Sequence, residues 1–285
     1  MIMIRVFQIA VIGWLSFCMT GCTPFTKGEP QWVWEKDKIG DIAPTQTGKL
    51  PVKPLKTINF DVHIFEIPAE NVGKLKAVWQ ILYTKPLRFN NYDAFKANFF
   101  SVQFGQNEQW KKIIDLLRAD GGQLVVKVTL LLTDGQSSDV AVTGLNRQQN
   151  VSYVSIGGVR DEADVGPGVL ALRIKAEKDV AARGVCDVVA HPVFSPPIRT
   201  WVPQLAAQAK LREFDFSSAG FGLKMGPGDF VLLGPERYIS DQTLLGGLFF
   251  CKPEGSVFFS ETERKGPQRK PAVRIFLLVC TGINY

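Results

Sequence analysis

Alternation opens the folded part of the chain. Ile58, Phe60, Val62 and Ile64 alternate with Asn59, Asp61 and His63. A period of two predicts a half-buried strand over Thr57–Ile67, with His63 on its polar, solvated face. Pro68-Ala-Glu follows and suits the first turn of a helix. Val72, Leu75, Val78, Trp79 and Leu82 then recur at intervals of three and four, which predicts an amphipathic helix over about 69–83. Trp110, Ile113, Ile114 and Leu117 share one face of a second predicted helix, Asn107–Ala119. Asp120-Gly121-Gly122 closes it as a C-cap.

Beyond that helix the pattern is mostly strand. Gln123–Thr133 is long and rich in branched residues, and Asp134-Gly135 reads as a hairpin turn. Further strands are predicted at Asp139–Val142, Val151–Ile156, Val169–Ala176 and Val185–Ala190, the last stopped by Pro192. Gly-Pro-Gly at 166–168 and Ala-Arg-Gly at 182–184 punctuate them. A short helix is expected at Val202–Lys210. Six more strands follow, at Phe214–Phe216, Gly222–Met225, Asp229–Leu233, Leu248–Cys251, Val257–Ser260 and Val273–Thr281. The fold class is α+β, dominated by antiparallel strands, with two or three helices mostly in the first half. Val169–Ala176 puts Leu170, Leu172 and Ile174 on one face and Ala171, Arg173 and Lys175 on the other. Both a barrel wall and a sandwich strand show that alternation. In a barrel wall, Asp161, Glu162 and Asp164 would have to sit in loops or the lumen.

The N-terminus carries an address. Residues 1–22 read MIMIRVFQIAVIGWLSFCMTGC, with Arg5 the sole charge ahead of an apolar run from Val6 to about Met19. That run suits a secretory signal and is short for a membrane-spanning helix. Met19-Thr20-Gly21-Cys22 resembles the bacterial lipobox. The resemblance implies cleavage before Cys22, diacylglycerol on its sulfur and acylation of the new N-terminus. Membrane lipid is then a partner through Cys22, since several acyl chains anchor stably. Thr23 after the cysteine favours the outer membrane, with the protein facing the periplasm. The expected organisation is a signal peptide at 1–21, a Pro- and Gly-punctuated tether at 22–56 and a β-rich domain at 57–285.

Motifs in that domain carry a second resemblance. The order strand (FDVHIFEI, 60–67), helix, helix, then LVVKVTLLLTDGQ (124–136) is similar to the start of the secretin domain. Secretins are ring-forming outer-membrane gates of bacterial secretion and pilus systems. Gly228-Asp229-Phe230-Val231-Leu232-Leu233-Gly234 resembles the first half of their signature. Leu244-Leu245-Gly246-Gly247-Leu248-Phe249 resembles its end, with Gly246-Gly247 read as a turn, and Val273–Thr281 resembles the terminal strand. Pro235 and Thr243 depart from the pattern. The resemblance implies a homo-oligomer or a component of a secretion-type complex, serving passage or support without bond chemistry. The alternative is a monomeric envelope lipoprotein that binds or supports.

Composition narrows the chemistry. The 285 residues are 46% hydrophobic and 21% charged, ordinary globular values. Mean hydropathy is +0.05, too low for a multi-span helical membrane protein. The net charge of +6 is partly local, with Arg264-Lys265 and Arg269-Lys270 flanking Gly266-Pro267. No aromatic-interleaved basic surface points to nucleic acid. Two His and five Cys leave little material for a metal or triad enzyme. Ser195 lacks a nucleophile elbow, 134–139 lacks the ligand spacing of a calcium loop, and no CxxC exists for zinc. No catalytic set, metal or cofactor is expected. After processing Cys186, Cys251 and Cys280 remain, either as buried small side chains or with one disulfide, 186–251 or 251–280.

Overall fold

The computed structural model describes residues 56–197, 212–256 and 269–285. The expected signal peptide, Cys22, the expected tether up to residue 55, the helix expected at 202–210, the strand expected at 257–260 and Arg264-Lys265 lie outside those residues.

The architecture is α+β, with antiparallel strands dominant. The first strand, β1 (Thr57–Pro68), buries Ile58, Phe60, Val62 and Ile64 as its alternation predicts. Its partner β14 (Ala272–Ile283) runs antiparallel along its whole length. The larger sheet has the order β3 (Ser101–Gly105), β12 (Phe230–Gly234), β14, β1, β4 (Gln123–Thr133), with β13 (Cys251–Lys252) also on β14. The second sheet has the order β2 (Arg88–Phe89), β11 (Phe221–Met225), β9 (Cys186–Ser195), β8 (Gly168–Lys178), β5 (Ser137–Leu145), with β10 (Phe214–Asp215) on β9. β6 (Gln149–Val154) and β7 (Arg160–Val165) form a separate hairpin. One hydrophobic core joins the two large sheets. Leu170, Leu172 and Ile174 of β8 point into it, so β8 is a sandwich strand of this fold.

Helices are short. Ala69–Leu75 is a 3-10 segment that passes into α1 (Lys76–Trp79), where the sequence predicts one α-helix. The spacing supplies the reason: Val72, Leu75 and Val78 recur every three residues, and a 3-10 turn stacks them on one buried line. The helix α2 (Tyr92–Ala97) has no counterpart in the sequence reading. The longest, α3 (Asn107–Ala119), has the predicted bounds and buries Ile113 and Leu117. Gln109 Oε1 accepts the Gln106 N–H at 2.7 Å to open it. Gly121, at φ 80°, closes it: the Gly122 N–H reaches Leu117 O at 2.8 Å and the Gly121 N–H reaches Arg118 O at 3.0 Å. That pair of bonds is the Schellman cap, which favours glycine in the left-handed region.

Four local expectations are corrected. Asp134-Gly135 turns the chain but makes no hairpin, because β4 belongs to one sheet and β5 to the other. The turn is held instead by β8, through Gly135 N–H to Ala176 O at 2.9 Å and Lys178 N–H to Asp134 Oδ1 at 2.7 Å. Pro192 does not stop β9, which runs on to Ser195. Its carbonyl faces Phe216, 3.0 Å away, so its missing N–H falls between the stretches of β9 paired with β11 and with β10. Asp161, Glu162 and Asp164 lie on β7, where they meet Tyr153, Asn150 and Gln148 while Ala163 and Val165 face inward. His63 is half-buried against Trp110, with ring centroids 5.4 Å apart, and burial, reinforced by Lys127, holds its pKa below the usual histidine value.

The fifth correction concerns 245–250. The sequence reads as a turn and a strand from Leu248, but Leu245–Phe250 is the helix α4. Its two glycines answer close approach rather than a turn. A Cβ on Gly246 would stand 2.4 Å from Asn98 O, and one on Gly247 would stand 2.0 Å from Asp241 O. Packing overrides the low helix propensity of the Gly-Gly pair.

Candidate functional site

A cleft of about 680 Å³ lies at the β3 end of the larger sheet. The 3-10 segment and α1 contribute Val72 and Trp79, the chain after α1 contributes Thr84, Leu87 and Phe89, and α2 contributes Tyr92, Phe95 and Lys96. Ser101, Val102 and Gln103 of β3 and the nearby Glu236 complete it. Its walls therefore combine aromatic rings with polar and charged side chains, Lys76 among them.

Three polar features stand out. Lys96 pairs with Glu236 and reaches Ser101 Oγ at 3.0 Å, and Ser101 Oγ lies 3.1 Å from Glu236 Oε1. The Lys96 ammonium holds the Glu236 carboxyl below its usual range, opposed by partial burial. Gln103 Oε1 is buried without a hydrogen-bond partner. Finally, β3 offers backbone. Tyr83 and Phe104 exchange both hydrogen bonds at 2.8 Å, so Phe104 directs its N–H and C=O away from β12. Alternation along the strand turns Val102 the same way, at the cleft.

The rim stores strain. α2 is opened by Asn91, whose Oδ1 accepts the Ala94 N–H at 3.0 Å. It closes with the same double bond as α3: Phe100 N–H to Phe95 O at 3.2 Å and Phe99 N–H to Lys96 O at 2.9 Å. Phe99, however, takes the place that glycine takes after α3, at φ 65°. A bulky residue there costs of order 1 kcal/mol or more. Asn98 holds the turn by bonding both Val154 N–H and Val154 O at 2.7 Å. The Phe99 ring meets the Arg237 guanidinium at 5.3 Å, in a second recess of about 300 Å³ that shares Lys96, Ser101 and Glu236 with the cleft.

The chain stands alone in three comparisons. No family model, no curated protein and no solved structure matches it.

The residues singled out by sequence fall elsewhere. Gly228 and Asp229 sit in the link between β11 and β12, where Gly228 has φ 92° and Asp229 Oδ2 accepts the Gly226 N–H at 2.8 Å. Burial pushes the Asp229 carboxyl up. Gly234 ends β12 beneath Ile275 and Trp79. Gly246, Gly247, Leu248 and Phe249 are buried in α4, and Phe249 packs on Phe100, Phe250 and Phe276. None of the seven lines the cleft. Other candidates are engaged: Asp139 holds Arg173 through two bonds of 2.7 Å. His191 and Ser195 are four residues apart on β9, roughly 13 Å along the strand. Among the described residues no group of three His, Cys, Asp or Glu could hold a metal. Sequence reasoning missed the cleft. Phe89, Tyr92 and Phe95 were its one signal, an aromatic cluster around Asn91.

Proposed function

We propose that this chain is a lipid-anchored cell-envelope protein whose β-rich domain binds an amphipathic small molecule in the β3 cleft, without bond chemistry. The observation that carries the reading is the cleft itself: about 680 Å³, walled by Trp79, Phe89, Tyr92 and Phe95, with Lys76, Lys96 and Glu236 among its polar residues. A ring-bearing apolar body would fit the aromatic walls, and a polar head would meet Lys76, Lys96 or Glu236. Ser101 Oγ is engaged between Lys96 and Glu236, which pair with each other, and no histidine lines the cleft. The lipobox-like residues 19–22 support the anchor. The test is titration with anilinonaphthalene sulfonate, an aromatic probe whose fluorescence rises in apolar sites. Binding at one site, lost in Trp79→Ala and Phe89→Ala while the fold is retained, is the expected result. Equal binding by both variants would contradict the assignment.

One observation favours the gate-type reading as a second proposal. β4 ends the larger sheet as an eleven-residue strand, paired on one side by β1, with Lys127 its sole charge and with Leu124, Val126 and Leu131 exposed. Long apolar edges of this kind invite strand pairing with another chain. A second copy would fit. Antiparallel pairing about Val128 would set Leu124 against Leu132 and Val126 against Leu130, and each Lys127 against a threonine. In this reading the protein forms or supports a multimeric assembly at the outer membrane, as the secretin resemblance implies.

A further inference from the structure

Three cysteines of the described residues are free and buried, and two of them meet. Cys186 opens β9 in the second sheet; Cys280 lies near the end of β14 in the larger one. The chain between β11 and β12 brings them together. Met225, the last residue of β11, pairs with Cys186, whose Sγ lies 3.4 Å from Met225 O. Only three residues later, the Gly228 N–H donates to Cys280 O at 2.8 Å, and Asp229 O accepts the Cys280 N–H at 2.9 Å. The Cys186 and Cys280 side chains come within reach of each other across the junction of the sheets, and both residues are 0% exposed. Cys251 stands apart, its sulfur accepting the Ile239 N–H at 3.3 Å. Neither pairing allowed by the sequence reading, 186–251 or 251–280, matches this arrangement.

We propose that Cys186 and Cys280 form a disulfide that ties the two sheets together when a disulfide donor is present. The pairing rests on geometry; its occurrence in the cell rests on the envelope reading, since the periplasm is oxidising. The step is thiol–disulfide exchange. The thiolate of one of the two cysteines attacks a donor disulfide, giving a mixed disulfide and one donor thiol. The other cysteine then displaces the second donor thiol, to which its proton passes. Two cysteine thiols are oxidised and the donor disulfide is reduced to two thiols. Both sulfurs are sealed in the closed fold, so exchange takes place before the sheets close. Such a bridge closes a loop of roughly 95 residues, which constrains the unfolded chain strongly.

The experiment refolds the full chain with oxidised glutathione, unfolds it, alkylates it and maps its peptides. A 186–280 link, persisting in Cys251→Ala, is the expected result, with Tm raised by roughly 10 °C over the reduced chain. Alkylation of both Cys186 and Cys280 after such refolding, links through Cys251, or an unchanged Tm would overturn the proposal. The same map is made on protein alkylated directly in cells. A link there supports proposal and address together. A link on refolding but free thiols in cells supports the pairing and contradicts the envelope reading instead.

Discussion

The larger sheet ends in two unlike ways. At one edge the five residues of β3 are crowded by α1, α2 and the Tyr83 bridge, and the crowding leaves a shaped cleft. At the other edge the eleven residues of β4 run with apolar side chains in water. A short, covered edge builds a site for something small. A long, open edge builds a template for another strand. The two proposed recognition modes thus sit at opposite edges of one sheet, separated by its central strand β14, which is buried along most of its length.

The comparison is broken most severely at Gly246. A valine there drives its Cβ toward Asn98 O and the Phe99 side chain, the turn that frames the β3 end. Thermal denaturation should show a loss of roughly 3 kcal/mol or more. A melting temperature within a degree of wild type would mean α4 does not brace that edge. At the opposite end, Leu130 and Leu131 are neighbours with opposite fates. Leu130, 5% exposed, should cost roughly 2–4 kcal/mol when cut to alanine. Leu131, 68% exposed, should leave stability within about 0.5 kcal/mol when changed to lysine, yet disperse any oligomer seen by light scattering. An oligomer untouched by Leu131→Lys would remove β4 from the interface. The smallest effect belongs to the rim. A double-mutant cycle of Phe99→Ala and Arg237→Ala should give a coupling of roughly 0.5–1 kcal/mol. Zero coupling would show that the ring and guanidinium meet without consequence.

How much of this was legible follows from which interactions are local. α3 could be bounded to the residue because its apolar spacing and its Gly121 cap both lie within the helix and its ends. β1, β4 and β8 were readable from alternation or branched content. The failures share a cause, a partner distant in sequence. Leu245–Phe250 is helical because Asn98 and Asp241 crowd its glycines. Pro192 stays in β9 because β10 and β11 divide its far side. Asp134-Gly135 joins sheets because β8 waits beneath it. The cleft draws on residues from 72 to 103 and on Glu236, so no single motif could announce it. The glycines of the signature-like stretches were visible, but their visible reason, a turn, differs from their packing at α4.

The most direct test of the account is a crystal structure of the chain soaked with a library of small aromatic fragments. The account predicts fragments between Trp79, Phe89 and Tyr92. Fragments scattered over the surface, with the β3 cleft empty, would contradict it.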